Sequence, residues 1–165
     1  MKNIGFIGAS GLMGHGMAGN LLKKGFALSV TVHSRREPLA DLFAAGAQEV
    51  ACAADLAPCD AIILCVTGSP QVEAALLGPQ GILSRARPGL LVIDTSTSEP
   101  ESTQRLGALC AEKGVTLVDA PLARTPVEAE LGKLNTMVGA TPEVFARVQP
   151  ILQAYCENIF HVGGP

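Results

Sequence analysis

Short, continuous apolar runs alternate along this chain with stretches whose apolar residues recur every three or four positions. Residues 3–8 (NIGFIG) form the first run and predict a buried strand. Beyond a cluster of glycines, Met13, Met17 and Leu21 fall at i, i+4 and i+8, with Leu22 beside them, as on one face of a helix. Lys23, Lys24 and Gly25 end that helix with cations near its negative pole and a glycine suited to the C-cap. Residues 28–33 (LSVTVH) predict a second strand, and 38–45 a short helix stopped by Gly46. A strand is expected at 60–66 (DAIILCV), a helix at 70–77 and a strand at 90–94 (LLVID). A long helix over 99–113 turns Leu106, Leu109 and Cys110 inward and is capped by Gly114. Strands at 115–120, 134–138 and 158–162 and a helix at 142–155 complete the pattern. Residues 161–165 (HVGGP) read as a turn at which the chain looks cut.

Strand and helix patterns alternate, and several strands are apolar throughout. That describes an α/β fold with a doubly wound, mostly parallel sheet covered on both faces, in one domain over 1–165. Aromatic residues are only 4%, so the core must be aliphatic. A net charge of −3 gives no basic surface for nucleic acid, and no apolar run is long enough to span a membrane. Glycines at 5, 8, 11 and 14 break the first apolar stretch, so it does not read as a signal peptide. The five cysteines include no C-x-x-C pair and are read as reduced cytoplasmic thiols, Cys65 behaving as a small buried hydrophobe. His15, His33 and His161 lie in separate segments without carboxylate or thiol partners at ligand spacing, so no metal site is expected. Glu128 and Glu130 read as a solvated helix face.

The strongest chemical signal is the turn Gly8-Ala9-Ser10-Gly11-Leu12-Met13-Gly14, set between the first strand and the first helix. A dinucleotide pyrophosphate needs backbone N–H donors, close approach and the positive end of a helix. Gly8 suits the tight turn, Gly11 the approach of the phosphates, and Gly14 close packing of helix on strand. The strand before and the helix and strand after give the Rossmann-type context that a glycine pattern alone lacks. The alternative is a glycine-rich turn without a ligand. The spacing G-x-x-G-x-x-G carries one residue more than the usual fingerprint, which brings Ala9 and Ser10 into the turn.

The end of the second strand selects the cofactor. An NAD site places Asp or Glu there, against the ribose hydroxyls. Here the residues are Ser34, Arg35 and Arg36, and the first acid is Glu37. Arginine pairs with a 2′-phosphate that a carboxylate would repel, so NADP is expected over NAD. The competing reading makes Arg35 and Arg36 a solvated charge pair.

These residues, with four later stretches, resemble the β-hydroxyacid dehydrogenase family, which includes 3-hydroxyisobutyrate dehydrogenase, tartronate semialdehyde reductase and sulfolactaldehyde reductase. The carriers are Gly5-Phe6-Ile7-Gly8 with Leu12-Met13-Gly14, Met17-Ala18 and Asn20-Leu21-Leu22; Asp94-Thr95-Ser96-Thr97 with Pro100; Asp119-Ala120-Pro121; and Gly132-Lys133-Leu134 with Met137-Val138-Gly139. The resemblance implies an NADP-dependent oxidoreductase that interconverts a small anionic β-hydroxy acid and its semialdehyde or keto form. It implies that Val66, Thr67 and Thr97 border the cofactor, and that Ser96 and the loop with Ala123, Arg124 and Thr125 meet the substrate. By residue chemistry alone, Ser96-Thr97-Ser98 also reads as a helix N-cap cluster.

Two departures from the family pattern stand out. Leu122-Ala123-Arg124-Thr125 occupies the place of the family's V-S-G-G, similar to the sulfolactaldehyde reductase branch. Arg124 is read as a fork for an extra anionic group on the substrate, against the plainer reading of a surface arginine. The family's catalytic lysine, in a G-x-G-x-x-x-K segment, and its helical domain are expected beyond Pro165. No catalytic residue is therefore assigned within the chain, little turnover is expected of it, and an apolar patch is expected near its C-terminus. The resemblance implies a homo-oligomer for a full-length protein. Alternatives are a non-catalytic nucleotide-binding module and an imine or 6-phosphogluconate-type reductase on the same fold.

Overall fold

The structure, a computed structural model, describes residues 1–164. The elements are β1 (Asn3–Ile7), α1 (Gly14–Lys23), β2 (Ala27–Thr31), α2 (Ala40–Ala44), β3 (Gln48–Val50), β4 (Ala61–Leu64), α3 (Ser69–Leu77), β5 (Leu91–Asp94), α4 (Pro100–Glu112), β6 (Thr116–Asp119), β7 (Leu122–Ala123), α5 (Pro126–Leu131), β8 (Leu134–Gly139), α6 (Pro142–Leu152) and β9 (Cys156–Gly163). Single 3-10 turns at Glu37–Leu39, Ala53–Leu56 and Ile82–Ser84 lie between them.

One nine-stranded sheet runs in the order β3-β2-β1-β4-β5-β6-β8-β7, with β9 also paired to β8. From β3 to β6 all neighbours are parallel; β8 is antiparallel to both β6 and β7. The pairs Asp119↔Gly139, Leu122↔Thr136 and Ala123↔Asn135 keep one register, so β7 continues β6 beyond Pro121, which has no N–H to give the ladder. The central strands β4 and β5 are buried along their whole length, as their unbroken apolar sequences require. Their side chains alternate between two cores. Ile63 and Ile93 pack with Met17, Leu21, Leu42, Val148 and Ile151 beneath α1, α2 and α6; Ile62 and Val92 pack with Val72, Leu76 and Leu106 beneath α3 and α4.

The sheet differs from the sequence pattern where strands are short or polar. Neither β3, at three residues, nor β7, at two, is long enough to show a period. β2 stops at Thr31, which leaves His33 in the following loop. The strand expected at 158–162 runs from Cys156 to Gly163, so the turn expected at 161–165 is strand through Gly163, which pairs with Gly139 of β8; Pro165 lies outside the described residues. The apolar patch expected near the C-terminus lies here, where Met137, Phe160 and Val162 are exposed beside a groove of about 600 Å³ against α4.

α5 is held on α1 by backbone contact. A Cβ on Gly16 would fall 2.5 Å from the Ala129–Glu130 backbone, so only glycine admits that approach. Asn20, one turn on and buried, places its Nδ2 2.8 Å from the Gly16 carbonyl, 2.9 Å from that of Ala129 and 3.1 Å from that of Glu130. It thereby caps the Glu130 carbonyl, which the end of α5 leaves without a backbone donor, and is a second donor to the Ala129 carbonyl, which also accepts from Gly132 N–H at 3.3 Å. Asn20→Leu should cost about 2 kcal/mol, read by urea denaturation, because it leaves the Glu130 carbonyl unsatisfied and removes the link between α1 and α5. An unchanged midpoint would contradict this account of α5.

Candidate functional site

The chain leaves β1 into a turn shaped by three glycines with different duties. Gly8 has φ +101°, and a Cβ there would stand 1.9 Å from the carbonyl oxygen of Cys65. A Cβ on Gly14 would stand 2.0 Å from the carbonyl of Gly8. The protein's own packing thus fixes both residues. Gly11 is different: it is exposed, and the only atom within 4 Å of its Cβ position is the Gly8 carbonyl at 3.3 Å. Its missing side chain leaves an open cradle above the turn. The extra residue in the spacing is taken up by a reverse turn closed by Gly11 N–H to the Gly8 carbonyl at 3.1 Å.

The helical ladder resumes with His15 N–H to the Gly11 carbonyl at 3.1 Å. Among the described residues the N–H groups of Leu12, Met13 and Gly14 have no protein acceptor. Ala9 is buried beneath the turn; Ser10, Gly11 and Leu12 are exposed on it. Free donors, the positive pole of α1 and the Gly11 opening converge, and that arrangement fits a pyrophosphate. It sits between β1 and β4, where the strand order reverses direction.

The loops after β4 and β5 close the same edge. Val66 N–H donates to Ser96 Oγ at 3.0 Å, joining the two loops. Asp94 arranges the second: its Oδ1 accepts from Ser96 N–H and its Oδ2 from the Ser98 hydroxyl, both at 2.9 Å. Ser96 Oγ accepts from Val66, so its own proton is not used in that bond, and the residue is buried. These contacts replace the helix-capping role read for Ser96-Thr97-Ser98. The N-cap of α4 is Glu99, whose N–H is received by Ser69 Oγ at 2.8 Å. Asp94 has drawn both serines toward itself. Thr67 and Thr97 stand exposed on the rim. Asp119, paired in register with Asp94, has its carboxyl raised above the usual range by burial and by the neighbouring Asp94 charge.

Ser34, Arg35 and Arg36 are exposed in the loop after β2. Arg36 is occupied: its Nε lies 2.5 Å from Glu49 Oε2, and its guanidinium covers the Phe43 ring at 4.3 Å. Arg35 makes no ion pair among the described residues and is the open cation of the two.

Beyond β6, Ala123 closes β7 and Arg124 follows at φ +84°, a left-handed conformation that favours glycine. Its guanidinium donates to the Lys133 carbonyl at 2.7 Å and to the Glu157 carboxylate. Thr125 caps α5 in a reciprocal box with Glu128, accepting from the N3 backbone while Glu128 accepts from Thr125 N–H at 2.9 Å. Glu130 reaches His15 Nδ1 at 2.7 Å. Glu128 and Glu130 are therefore engaged rather than a plain solvated face. His15 has carboxylate neighbours that the sequence placed 26 and 115 residues away, so no spacing could reveal them. The brace by Asp94 did have a signal, since it opens the D-x-S-T stretch.

Residues 3–163 match the family described as the NAD binding domain of 6-phosphogluconate dehydrogenase. The chain is 40% identical to 2-(hydroxymethyl)glutarate dehydrogenase of Eubacterium barkeri, over 97% of this chain and 53% of that protein. It is 36% identical to 3-hydroxyisobutyrate dehydrogenase of Pseudomonas aeruginosa, over 99% of this chain and 54% of that protein. In structure it superposes on Mycobacterium tuberculosis 3-hydroxyisobutyrate dehydrogenase with a TM-score of 0.89 at 27% identity, covering 99% of this chain and 55% of the other. The chain thus spans about half the length of the curated relatives it matches. With its glycine turn, its switch point and its full-length match, the chain belongs to the family of the NAD binding domain of 6-phosphogluconate dehydrogenase.

Proposed function

We propose that this chain is the cofactor-binding part of an NADP-dependent oxidoreductase that interconverts a small anionic β-hydroxy acid and its semialdehyde or keto form. The observation that carries the reading is the continuous edge formed by the free amides of Leu12, Met13 and Gly14, the Val66–Ser96 link and the loop after Pro121. A nicotinamide bound there would supply the hydride for reduction, or take it up in the reverse direction. The amides hold the pyrophosphate, Val66, Thr67 and Thr97 border the cofactor, and the Ser96 hydroxyl donates to the substrate carboxylate.

Arg35, with Ser34, is the proposed partner of a 2′-phosphate, because Glu49 and Phe43 already hold Arg36. Ala123, Arg124 and Thr125 are proposed to face the substrate. A second anionic group on it would compete with Glu157 for the Arg124 guanidinium. The name of the Eubacterium relative denotes a dicarboxylate substrate, which supports that reading. Hydride transfer also needs a proton. Lys2, Lys23, Lys24 and Lys113 lie at the opposite edge of the sheet, where β1 begins and α1 and α4 end, and Lys133, beside Arg124 at the start of β8, does not occupy the place of the family's catalytic lysine. The acid–base group is therefore proposed to lie outside these residues, in a longer, homo-oligomeric cytoplasmic enzyme. The same placement of lysines would suit a non-catalytic nucleotide-binding module.

Calorimetry at low salt should give NADPH an affinity about tenfold above NADH. Arg35→Ala should abolish the difference and Arg36→Ala should largely keep it. Equal affinities in the wild type would overturn the NADP assignment. Assayed with NADPH and a β-semialdehyde acid, this chain should bind cofactor yet show negligible loss of nicotinamide absorbance. Sustained turnover would place the proton donor among its own residues.

A further inference from the structure

His15 is the second residue of α1, directly after the glycine that seats the helix against the turn. Its imidazole lies between two carboxylates from distant parts of the chain. Nε2 is 2.9 Å from Asp41 Oδ2 on α2, and Nδ1 is 2.7 Å from Glu130 Oε1 on α5. Neither carboxylate has a proton to give in its ionised form. A neutral imidazole has one N–H, so it satisfies one partner and turns a lone pair toward the other. Only the imidazolium donates to both.

The surroundings favour that charged form. Burial opposes the charge, but the hydrogen bonds to Asp41 and Glu130 outweigh it and raise His15 above the usual histidine value. Asp41 is correspondingly lowered by its bond to His15. No other charged group competes on the packed helices. On α1 the remaining one is Lys23, at the far end; on α2 there is only Asp41; on α5, Glu128 is engaged with Thr125.

We propose that the His15 imidazolium is a latch fastening α1 to α2 and α5, so that dinucleotide affinity falls as His15 loses its proton. The inference rests on the reading that a dinucleotide occupies the Gly8–Gly14 turn. The three helices carry separate parts of that site. α1 bears the phosphate cradle, α2 follows the Ser34–Arg36 loop, and α5 follows Arg124 and Thr125. Deprotonation breaks one bridge and leaves two carboxylates uncompensated beside a helix end that must receive a polyanion. His15 acts as a positioning residue and touches no reacting atom. Its raised value fixes the sign: the latch is fully closed below the ordinary histidine range and opens as pH rises through the raised value.

The test compares wild type with His15→Gln, measuring NADPH dissociation constants by calorimetry at about pH 6 and about pH 8.5, on either side of a histidine titration. The ratio of the two constants cancels the titration of the cofactor's own phosphate. The variant should bind about fivefold more weakly at the lower pH and equally at the higher one. A ratio that does not change with pH overturns the latch and leaves the dinucleotide reading standing. Absence of binding at either pH refutes the dinucleotide reading and the latch with it. Asp41→Asn and Glu130→Gln keep the shape and remove one charge each, and they decide the matter if His15→Gln does not fold. Each should move the His15 ring titration, followed by NMR, to lower pH, and the affinity profile with it. An unmoved titration overturns the proposal.

Discussion

The site depends on the passage of one backbone turn between two others. The Gly8–Gly14 segment leaves β1 with its backbone against the Cys65 carbonyl and returns into α1 against its own Gly8 carbonyl. A single methyl at either glycine would overlap a carbonyl oxygen, and no rotamer can relieve a clash with backbone. Once that passage is fixed, the helix axis points its free amides across the end of the sheet. The loops after β4 and β5, brought together by the pairing of those strands, bond through Val66 and Ser96. Electrostatics alone would attract a phosphate to many helix ends; close packing gives this end its position.

Around the turn, polar side chains are used as braces more than as free surface. Asp94 collects the backbone of Ser96 and the hydroxyl of Ser98, and Thr136 Oγ1, buried, lies 3.0 Å from the carbonyls of both Ala120 and Pro121. Each satisfies groups that the bends at the strand ends would otherwise bury unpaired. The cost of leaving such groups unmade exceeds the net gain of an ordinary hydrogen bond, so these residues hold the loops in one shape. The groups left over, and proposed for a ligand, are the amides on the turn, the Ser96 proton and the Arg35 guanidinium.

Charged residues follow the same division. Arg36 and Arg124 both look available in the sequence, and both are taken up by carboxylates, Glu49 and Glu157. Exposed ion pairs of this kind add little stability. Their effect is directional: they hold Arg36 and Arg124 on carboxylates and leave Arg35 open. Arg124 also accepts a left-handed backbone, a strain of about 1–2 kcal/mol that a glycine would avoid.

The sequence by itself determined the alternation of strands and helices, the parallel sheet, and the glycine turn. Continuous apolar runs of four or more residues cannot be solvated, and three glycines between a strand and a helix have few other uses. It also named the strand ends that share one edge, because the βαβ order puts every loop after β1, β4, β5 and β6 on the same side. It did not show β3, β7 or the pairing of Gly163 at the end of β9. Strands that short or that rich in glycine exist only because a neighbour supplies their hydrogen bonds. Nor did it separate Arg35 from Arg36, give His15 its two carboxylates, or reveal that Gly16 and Asn20 receive α5. Those outcomes are contacts between residues 13 to 115 positions apart, and pairings at such separations are set by how the helices pack on the sheet.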